Sequence, residues 1–517
     1  MPRPEPGAVQ WTNWEAWPER NESCFFDSPR DIPCRQGRVS LYSALVEAPG
    51  HIQAAVRFAA KHRLRLAIKN SGHCFLGRSS APESLQISTH KLKSIRFTSR
   101  FLPAGAPRGQ AHEGPAVTVG AGVGLKELYS AVARRNLTVV AGLAHTVGIA
   151  GGYIQGGGHS PLGNWKGMGS DNALEFRVVN AKGDLIVAND HQNRDLFWAL
   201  RGGGGGTYGV VVSVAVRTFP DVPMVGTEFG FAVPKGDLPA YWDMVEVFHT
   251  HLNSISDAGG CGYYSVAPKP QAQNGTEVLL LSGGFLFLNE SRTETARKAM
   301  DPLVADMRRL AAPGSTYRVD AVPRVSEWFD IALKGDADTT GGILLSGSRL
   351  VSRNFLSRND GPAHLSKALR SISESMPAIG FLGHVVAGGA VARSTVDSAL
   401  NPAWRRTVTH IAFGVDWNST TPLVEQEAIR SQLTEIGVEG LRRLEPDMGA
   451  YLNEADAYEK DFQRSFWGEN YARLYDIKQE QDPFGLFIVR KGVGSEDWDD
   501  AGLCRVDNRG RLRRLPE

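Results

Sequence analysis

Glycine most restricts how this chain can fold, because it is concentrated rather than spread. The 57 glycines cluster most densely between Gly142 and Gly209, and residues 146–163 alone hold seven of them. Five more stand in a row at 202–206, between an apolar stretch and a run of valines. Glycine lets backbone N–H groups face a flat or anionic ligand without a side chain in between. The pattern predicts packed loops around one large ligand, and a flexible linker is the alternative.

The segments around these loops predict two kinds of architecture. Residues 40–220 alternate short apolar strands with amphipathic helices, such as 51–62, which indicates an α/β unit. After about residue 219 longer strands dominate, separated by helices at 295–309 and 361–375. The later strands are predicted at 224–233, 259–267, 277–288, 341–352, 381–392 and 407–417. We therefore predict an α+β fold with a second domain, an antiparallel sheet backed by helices.

Composition excludes several classes of partner. The 517 residues exceed a typical single domain, and the net charge of +2 argues against nucleic acid or an anionic membrane surface. No apolar run of about 18 residues predicts a membrane helix. The first residues lack the apolar core of a signal peptide. We expect a monomer that acts on a small molecule.

Glycosylation motifs and cysteines favour an extracellular protein. Asn-x-Ser/Thr motifs occur at Asn21, Asn136, Asn274, Asn289 and Asn418. Cys24 and Cys34 stand close together in a polar N-terminal segment, which predicts a short disulfide loop, with two unpaired thiols as the alternative. The other three cysteines show no metal-ligand spacing, and we predict no metal site.

A single histidine stands in the loop that follows the first predicted strand, at 64–68. The loop runs Asn70-Ser71-Gly72-His73-Cys74 and reaches Gly77 three residues later. A histidine in such a loop is able to anchor a flavin covalently, and a surface or capping role is the alternative. The later glycines at 204–209 match G-x-G-x-x-G, but a β-branched run follows them where a dinucleotide fingerprint needs a helix.

Four segments in order resemble the berberine-bridge-enzyme-like branch of the vanillyl-alcohol-oxidase superfamily, whose FAD-binding domain is of the PCMH type. The segments are 70–77, 146–163, 198–211 and 451–483. The resemblance implies a two-domain flavoprotein. Its FAD-binding domain of two subdomains would span 35–220, its substrate domain 221–445, and 446–500 would return to the first domain.

The resemblance also implies the residues that hold the cofactor. It predicts FAD bonded through His73 alone, because Ala144 replaces the cysteine that forms a second bond in many relatives. The predicted cofactor-binding residues are Asn70, Ser71, Gly72, His73, Cys74, Gly77, Thr146, Gly148, Gly151, Gly152, Gly158, His159, Gly163, Val210 and Asn453.

The chemistry above the flavin is less well defined. The relatives' catalytic glutamate corresponds to a position near Arg393, where this chain has no carboxylate. Tyr451, at the family's position over the flavin, is the first candidate for the base, His410 the second, and Tyr153 a residue that tunes the flavin or lines the pocket. Packing roles are the alternatives for Tyr451 and His410, and a hydrogen-bonding loop role is the alternative for His159.

The activity implied is that of a secreted oxidase. A hydride would pass from an alcohol or related C–H donor to FAD, and O₂ would reoxidise the flavin to give H₂O₂. A dehydrogenase with another acceptor, and an oxidative or non-redox cyclase of natural-product synthesis, are the alternatives.

Overall fold

The computed structural model describes most of the chain from residue 9 to residue 506. The residues left out within that range are 24, 26–29, 32, 34, 274–275, 312–314, 333–341 and 377–378. The predicted Cys24–Cys34 disulfide and the glycosylation motif at Asn274 lie outside the described residues.

Three small sheets build the N-terminal part. A parallel sheet has the order β1-β3-β2, a five-stranded antiparallel sheet has the order β4-β5-β9-β7-β8, and β6 pairs with β10. The strands are β1 Tyr42–Leu45, β2 Arg65–Lys69, β3 Ser84–Ser88, β4 Ile95–Thr98, β5 Ala116–Gly120, β6 Leu137–Thr138, β7 Ala173–Val179, β8 Leu185–Ala188, β9 Val210–Arg217 and β10 Phe219–Pro220. The first seven residues of β9 are buried and apolar or small, as expected of a central strand.

A seven-stranded antiparallel sheet follows, in the order β14-β11-β13-β12-β16-β17-β15. Its strands are β11 Met224–Pro234, β12 Gly260–Gln273, β13 Thr276–Leu288, β14 Thr316–Val322, β15 Leu345–Ser352, β16 Phe381–Val385 and β17 Thr407–Val415. The expectation of a two-domain α+β protein with an antiparallel sheet is confirmed.

Helices cover one face of this sheet. Helix α5 buries Tyr241, Val245, Phe248, Leu252 and Ile255 at intervals of three and four, which is the stripe of a helix that packs on one side. It contacts three other helices and the strands beneath. The helices are α1 Pro49–His62, α2 Leu125–Ala133, α3 Gly163–Lys166, α4 Arg194–Leu200, α5 Leu238–Asp257, α6 Thr293–Leu310, α7 Val325–Ala332, α8 Arg353–Leu356, α9 Gly361–Ser375, α10 Gly389–Arg393, α11 Leu423–Gln432, α12 Glu439–Arg442, α13 Phe462–Trp467 and α14 Tyr471–Gln481.

The structure shortens one predicted strand and adds one that was not predicted. The strand expected at 381–392 ends at Val385, because Gly388 and Gly389 take positive φ angles and α10 begins there. Strand β14 was not predicted, since its alternate residues are exposed and its apolar pattern is weak. The five glycines at 202–206 form a packed loop, in which the Gly202 carbonyl accepts a hydrogen bond from the Trp467 indole at 3.0 Å.

The described N-terminal residues fold onto the predicted histidine loop. Trp11, Trp14 and Trp17 are all buried. The Trp11 indole donates to the His73 carbonyl at 3.2 Å, and the Trp14 indole donates to the Phe75 carbonyl at 2.8 Å. This segment therefore supports the loop. Among the described residues, no helix combines the length and apolarity needed to cross a bilayer.

Candidate active site

The predicted loops meet around one cavity of about 300 Å³. Four segments line it: 70–75 after β2, the loop 144–155, the glycines at 205–206 and the segment 451–454. The loop 144–155 and the glycines at 202–206 are joined directly, since the Gly204 N–H donates to the Gln155 carbonyl at 2.9 Å. Segments more than 300 residues apart in sequence thus form one wall.

His73 lies half-buried in this wall with a fixed ring. Its Nε2 is 2.6 Å from the Thr146 hydroxyl, so the two predicted flavin loops contact each other at this point. Asn70 fixes the same junction from behind, because its amide donates to the Ala121 carbonyl at 2.5 Å and to the Thr89 hydroxyl at 3.0 Å. Its Oδ1 lies where a Cβ at Gly148 or Gly151 would stand. Both glycines are therefore required by the packing.

Two residues that line the cavity each carry a buried polar atom that lacks a partner within the described part of the chain. Arg78 is 7% exposed; its Nε donates to the Arg490 carbonyl at 3.1 Å, but Nη2 has no partner. Gln155 donates its amide to two backbone carbonyls, and its Oε1 has no partner. An unpaired buried guanidinium is costly unless an anion meets it. The cavity is thus prepared for a ligand with an anionic group and a hydrogen-bond donor.

The other end of the cavity carries acid–base groups from 451–454. The Asn453 amide donates to the Tyr451 hydroxyl at 2.8 Å and to the Gly152 carbonyl at 2.9 Å, which joins this segment to the glycine loop. Burial raises the pKa of Tyr451, and the charge of Glu454 adds to this. The phenol is therefore a donor at neutral pH. Glu454 follows and presents a carboxylate to the cavity.

Three histidines surround Glu454 on its far side. His159 Nε2 is 3.0 Å from Glu454 Oε1, while His384 Nδ1 and His410 Nδ1 are each 3.7 Å from Oε2. The two Nδ1 atoms are 2.8 Å apart. His384 and His410 are paired residues of β16 and β17, so the strand register places them side by side.

Burial and charge act in opposite directions within this group. Burial lowers the pKa of His384 and of His410 well below the usual value, with neighbouring imidazoles adding to the shift. Burial pushes the pKa of Glu454 upward, but the charge and hydrogen bond of His159, with the charge of His384, leave it below its usual value. The carboxylate is therefore ionised at neutral pH.

The structure brings most of the predicted cofactor residues together. Those that line the cavity are Asn70, Ser71, Gly72, His73, Cys74, Gly148, Gly151, Gly152 and Asn453. The catalytic candidates Tyr451 and Tyr153 line it as well. Tyr153 lends its ring to the wall but donates its hydroxyl to the His159 carbonyl at 2.9 Å.

The remaining predicted residues stand behind this wall. Thr146 and Gly158 contact His73 and the Tyr153 ring, and Gly163 packs against the Val386 carbonyl. Gly77 faces the Trp14 ring. His159 and His410 belong to the histidine group, and Val210 is a buried residue of β9. These residues do not line the cavity.

Sequence reasoning missed Arg78, Glu454 and His384. Glu454 stands inside the recognised 451–456 segment, so its position beside Tyr451 was an available signal. No signal in the sequence pointed to His384, because only strand register places it next to His410. Arg78 follows His73 by five residues and is distinguished only by its burial.

Comparison with known proteins identifies the class. The model for an FAD binding domain matches residues 41–189, and the model described as "Berberine and berberine like" matches 450–494. A protein of Arthroderma benhamiae, which carries the name "uncharacterized FAD-linked oxidoreductase", is 49% identical over 508 residues, 97% of this chain and 85% of that protein. The flavin-dependent oxygenase ucdF of Aspergillus ustus is 39% identical over 511 residues, 97% of this chain and 90% of ucdF. The chain therefore belongs to the berberine-bridge-enzyme-like FAD-linked oxidoreductases.

Solved structures agree. The VAO-type flavoprotein MtVAO615 of Myceliophthora thermophila C1 has 32% identity and a TM-score of 0.80, with 93% of this chain and 84% of that chain covered. A carbohydrate oxidase of Microdochium nivale shares the fold, with a TM-score of 0.68, 19% identity, and 88% and 92% of the two chains covered. The cavity suits FAD: Arg78 Nη2 meets the need of a pyrophosphate, and Gln155 Oε1 that of a hydroxyl or amine donor.

Proposed function

We propose that the protein is an oxidase that takes a hydride from an alcohol or related C–H donor and delivers the electrons to O₂, giving H₂O₂. One observation carries the proposal: a single cavity holds the histidine loop, an unpaired buried guanidinium, and an ionised carboxylate beside a protonated phenol. Bound FAD supplies the hydride acceptor and the reaction with oxygen. The protein positions the substrate and takes its proton.

His73 is the proposed single covalent tether. Its half-buried ring is held by Thr146 within the cavity, and Ala144, which lines the same cavity, offers no sulfur for a second bond. The test is acid precipitation of the purified protein. Yellow flavin that stays in the wild-type pellet and is absent from the pellet of His73→Ala supports the tether; free flavin released by the wild type contradicts it.

Glu454 is the proposed proton acceptor, in place of Tyr451 and His410. Burial keeps the Tyr451 phenol protonated, which suits it to donate a hydrogen bond to the substrate oxygen. His410 is fully buried and does not line the cavity. Glu454 combines contact with the cavity and an ionised state.

A substrate screen tests the activity. Sugars, aromatic alcohols and alkaloids are supplied under air with peroxide as readout, and without oxygen with flavin absorbance as readout. Peroxide release together with bleaching supports an oxidase. Bleaching without peroxide indicates a dehydrogenase. If no donor causes bleaching or peroxide release, redox turnover is excluded for these donors and a cyclase is favoured.

One relative favours a second candidate. The protein named flavin-dependent oxygenase is 39% identical over 97% of this chain. An oxygenase incorporates oxygen into its product, so ¹⁸O₂ labelling of the product under turnover distinguishes the two candidates.

We also propose that the protein is secreted, N-glycosylated and monomeric, with the three chain segments predicted above as its domains.

The described acceptor residues Asn21, Asn136, Asn289 and Asn418 are all exposed, as glycosylation requires. A mass decrease after treatment with an N-glycosidase, on protein from a eukaryotic host, is the test.

A further inference from the structure

We propose that His159, His384, His410 and Glu454 form a binding site for one divalent first-row transition-metal ion, next to the flavin cavity. One donor atom from each residue lies within 4.8 Å of the others. Tetrahedral donors at zinc distances lie roughly 3.3 Å apart. The separations fall on both sides of this value: 2.8 Å between the Nδ1 atoms of His384 and His410, 3.0 Å from His159 Nε2 to Glu454 Oε1, and 3.7 Å from each Nδ1 atom to Glu454 Oε2.

The donors select the kind of ion. Three imidazole nitrogens with one carboxylate suit Zn²⁺, Fe²⁺, Co²⁺ or Cu²⁺, whereas Ca²⁺ and Mg²⁺ prefer oxygen. Among the described residues, the ionic partners of Glu454 are these three histidines, with no lysine or arginine. The carboxylate therefore lacks a permanent cation, which a metal ion would supply.

The residues around the four ligands are suited to hold a metal ion in a fixed position. Tyr263, His384 and His410 are register partners on three neighbouring strands, which gives two ligands a rigid base. The Trp404 ring centroid lies 6.2 Å from that of His159 and 5.8 Å from that of His410, and Leu350 is the register partner of His410, so the group has apolar neighbours. Glu454, 23% exposed, provides the way in from the cavity.

An ion here would join three parts of the chain. His159 belongs to the second flavin loop, His384 and His410 to the seven-stranded sheet, and Glu454 to the C-terminal segment. The site would fix the sheet against the flavin end of the cavity and hold Glu454 in place. This role concerns binding and stability, and it uses the Glu454 carboxylate that is also the proposed proton acceptor.

Metal uptake by the tag-free holoprotein tests the site. The protein is stripped with a chelator, dialysed, and titrated with Zn²⁺ for elemental analysis and with Co²⁺ for its visible d–d absorption. The wild type is expected to retain about one equivalent, and Zn²⁺ is expected to raise its thermal midpoint. His384→Gln is expected to bind more than about tenfold more weakly, because loss of a ligand exceeds loss of a supporting hydrogen bond.

His251→Gln is the matched control. His251 also pairs with a carboxylate, Asp306, at 2.8 Å, but lies on α5 outside the cluster. It should retain one equivalent. If His384→Gln fails to fold, Glu454→Gln has the same outline and removes the charge. No uptake by the wild type, or equal affinity in the cluster variants, overturns the proposal in favour of a metal-free hydrogen-bonded cluster. Uptake needs no turnover, so failure of the oxidase proposal is a separate result.

Discussion

At the scale of single residues, the site depends on groups whose burial changes their chemistry. Tyr451 and Glu454 are three positions apart. Burial raises the pKa of Tyr451 and keeps it protonated, whereas His159 and His384 lower the pKa of Glu454 against the effect of burial and keep it ionised. One cavity wall therefore offers both a hydrogen-bond donor and a proton acceptor. His73 and Arg78 line the same cavity.

Glu454→Gln should slow substrate-driven flavin reduction about 10²- to 10⁴-fold, because the amide keeps the shape and loses the base. Stopped-flow bleaching at 450 nm or so, under anaerobic conditions, measures this rate. Glu435→Gln, which changes an exposed carboxylate paired with Lys460, is the control and should reduce at the wild-type rate. A wild-type rate in Glu454→Gln would remove Glu454 from the mechanism.

Gly72→Ala should destabilise the protein and reduce its FAD content. Gly72 has a φ of +97°, and an added Cβ would lie 1.9 Å from the Val9 carbonyl oxygen. Gly114→Ala is a control with the same backbone strain, since Gly114 has a φ of +88° and open space around it. The control should cost only the strain, about 1–2 kcal/mol. Thermal midpoints measure the stability of the two variants, and the flavin-to-protein absorbance ratio measures their FAD content. Equal decreases in both variants would show that the N-terminal contact is unimportant.

At the scale of elements, a buried lysine ties the C-terminal helix α14 to the residue that follows the glycine run. Lys478 Nζ donates to Asp482 at 2.6 Å and to the Thr207 and Phe487 carbonyls at 2.8 and 2.7 Å. Both side chains are at most 2% exposed. The Lys478 ammonium thus connects α14 to Thr207 and Phe487, and Asp482 neutralises its charge.

Lys478→Met should cost about 3–5 kcal/mol, because Asp482 stays buried without its counter-charge. Lys460→Met is the matched control: it removes an exposed pair with Glu435 and should cost at most about 1 kcal/mol. Urea unfolding followed by tryptophan fluorescence measures both. A similar midpoint for the two variants would contradict the role given to the buried pair.

The N-terminal segment should make stability depend on pH. Burial raises the pKa of Glu15 to about 7, and the charge of Lys69 opposes this. The folded-state pKa lies above the ordinary carboxyl value of 4.5, so the stabilising contribution is present below pH 4.5 and is lost as pH rises through about 7. Glu15→Gln should flatten the curve of thermal midpoint against pH in this window. Glu19→Gln, at an exposed position of the same segment, should not.

At the scale of the whole molecule, the cofactor is expected to contribute to stability. Its cavity joins segments from residue 70 to residue 454, so binding to the folded state alone raises the unfolding temperature. The size of this effect depends on whether the flavin is tethered.

His73→Ala should show a thermal midpoint that rises with added FAD, by about 2.7 kcal/mol of stabilisation at 100 times the dissociation constant. The wild type should not respond, because its covalent flavin is present at every concentration. Differential scanning fluorimetry over a series of FAD concentrations gives the result. A wild type that responds as the variant does would contradict the tether.

Several elements followed from local sequence because their signals are local. The predicted helix at 361–375 matches α9, Gly361–Ser375, since its apolar spacing and Pro362 near its start need no distant partner. The loop with His73 was located from one strand and its glycines. The strand at 381–392 was only half right, because it ends before a glycine pair at which the chain turns into α10.

The sequence by itself determined the class of fold, the cofactor loops and the absence of a cysteine at position 144, because each depends on residue type and short-range order. Only the tertiary structure decided which side chains face the cavity. Strand register placed His384 beside His410, and the return of segment 451–454 placed Glu454 between them and the flavin loops. Contacts across 26 and 295 residues leave no local pattern, since they arise when separate segments pack together.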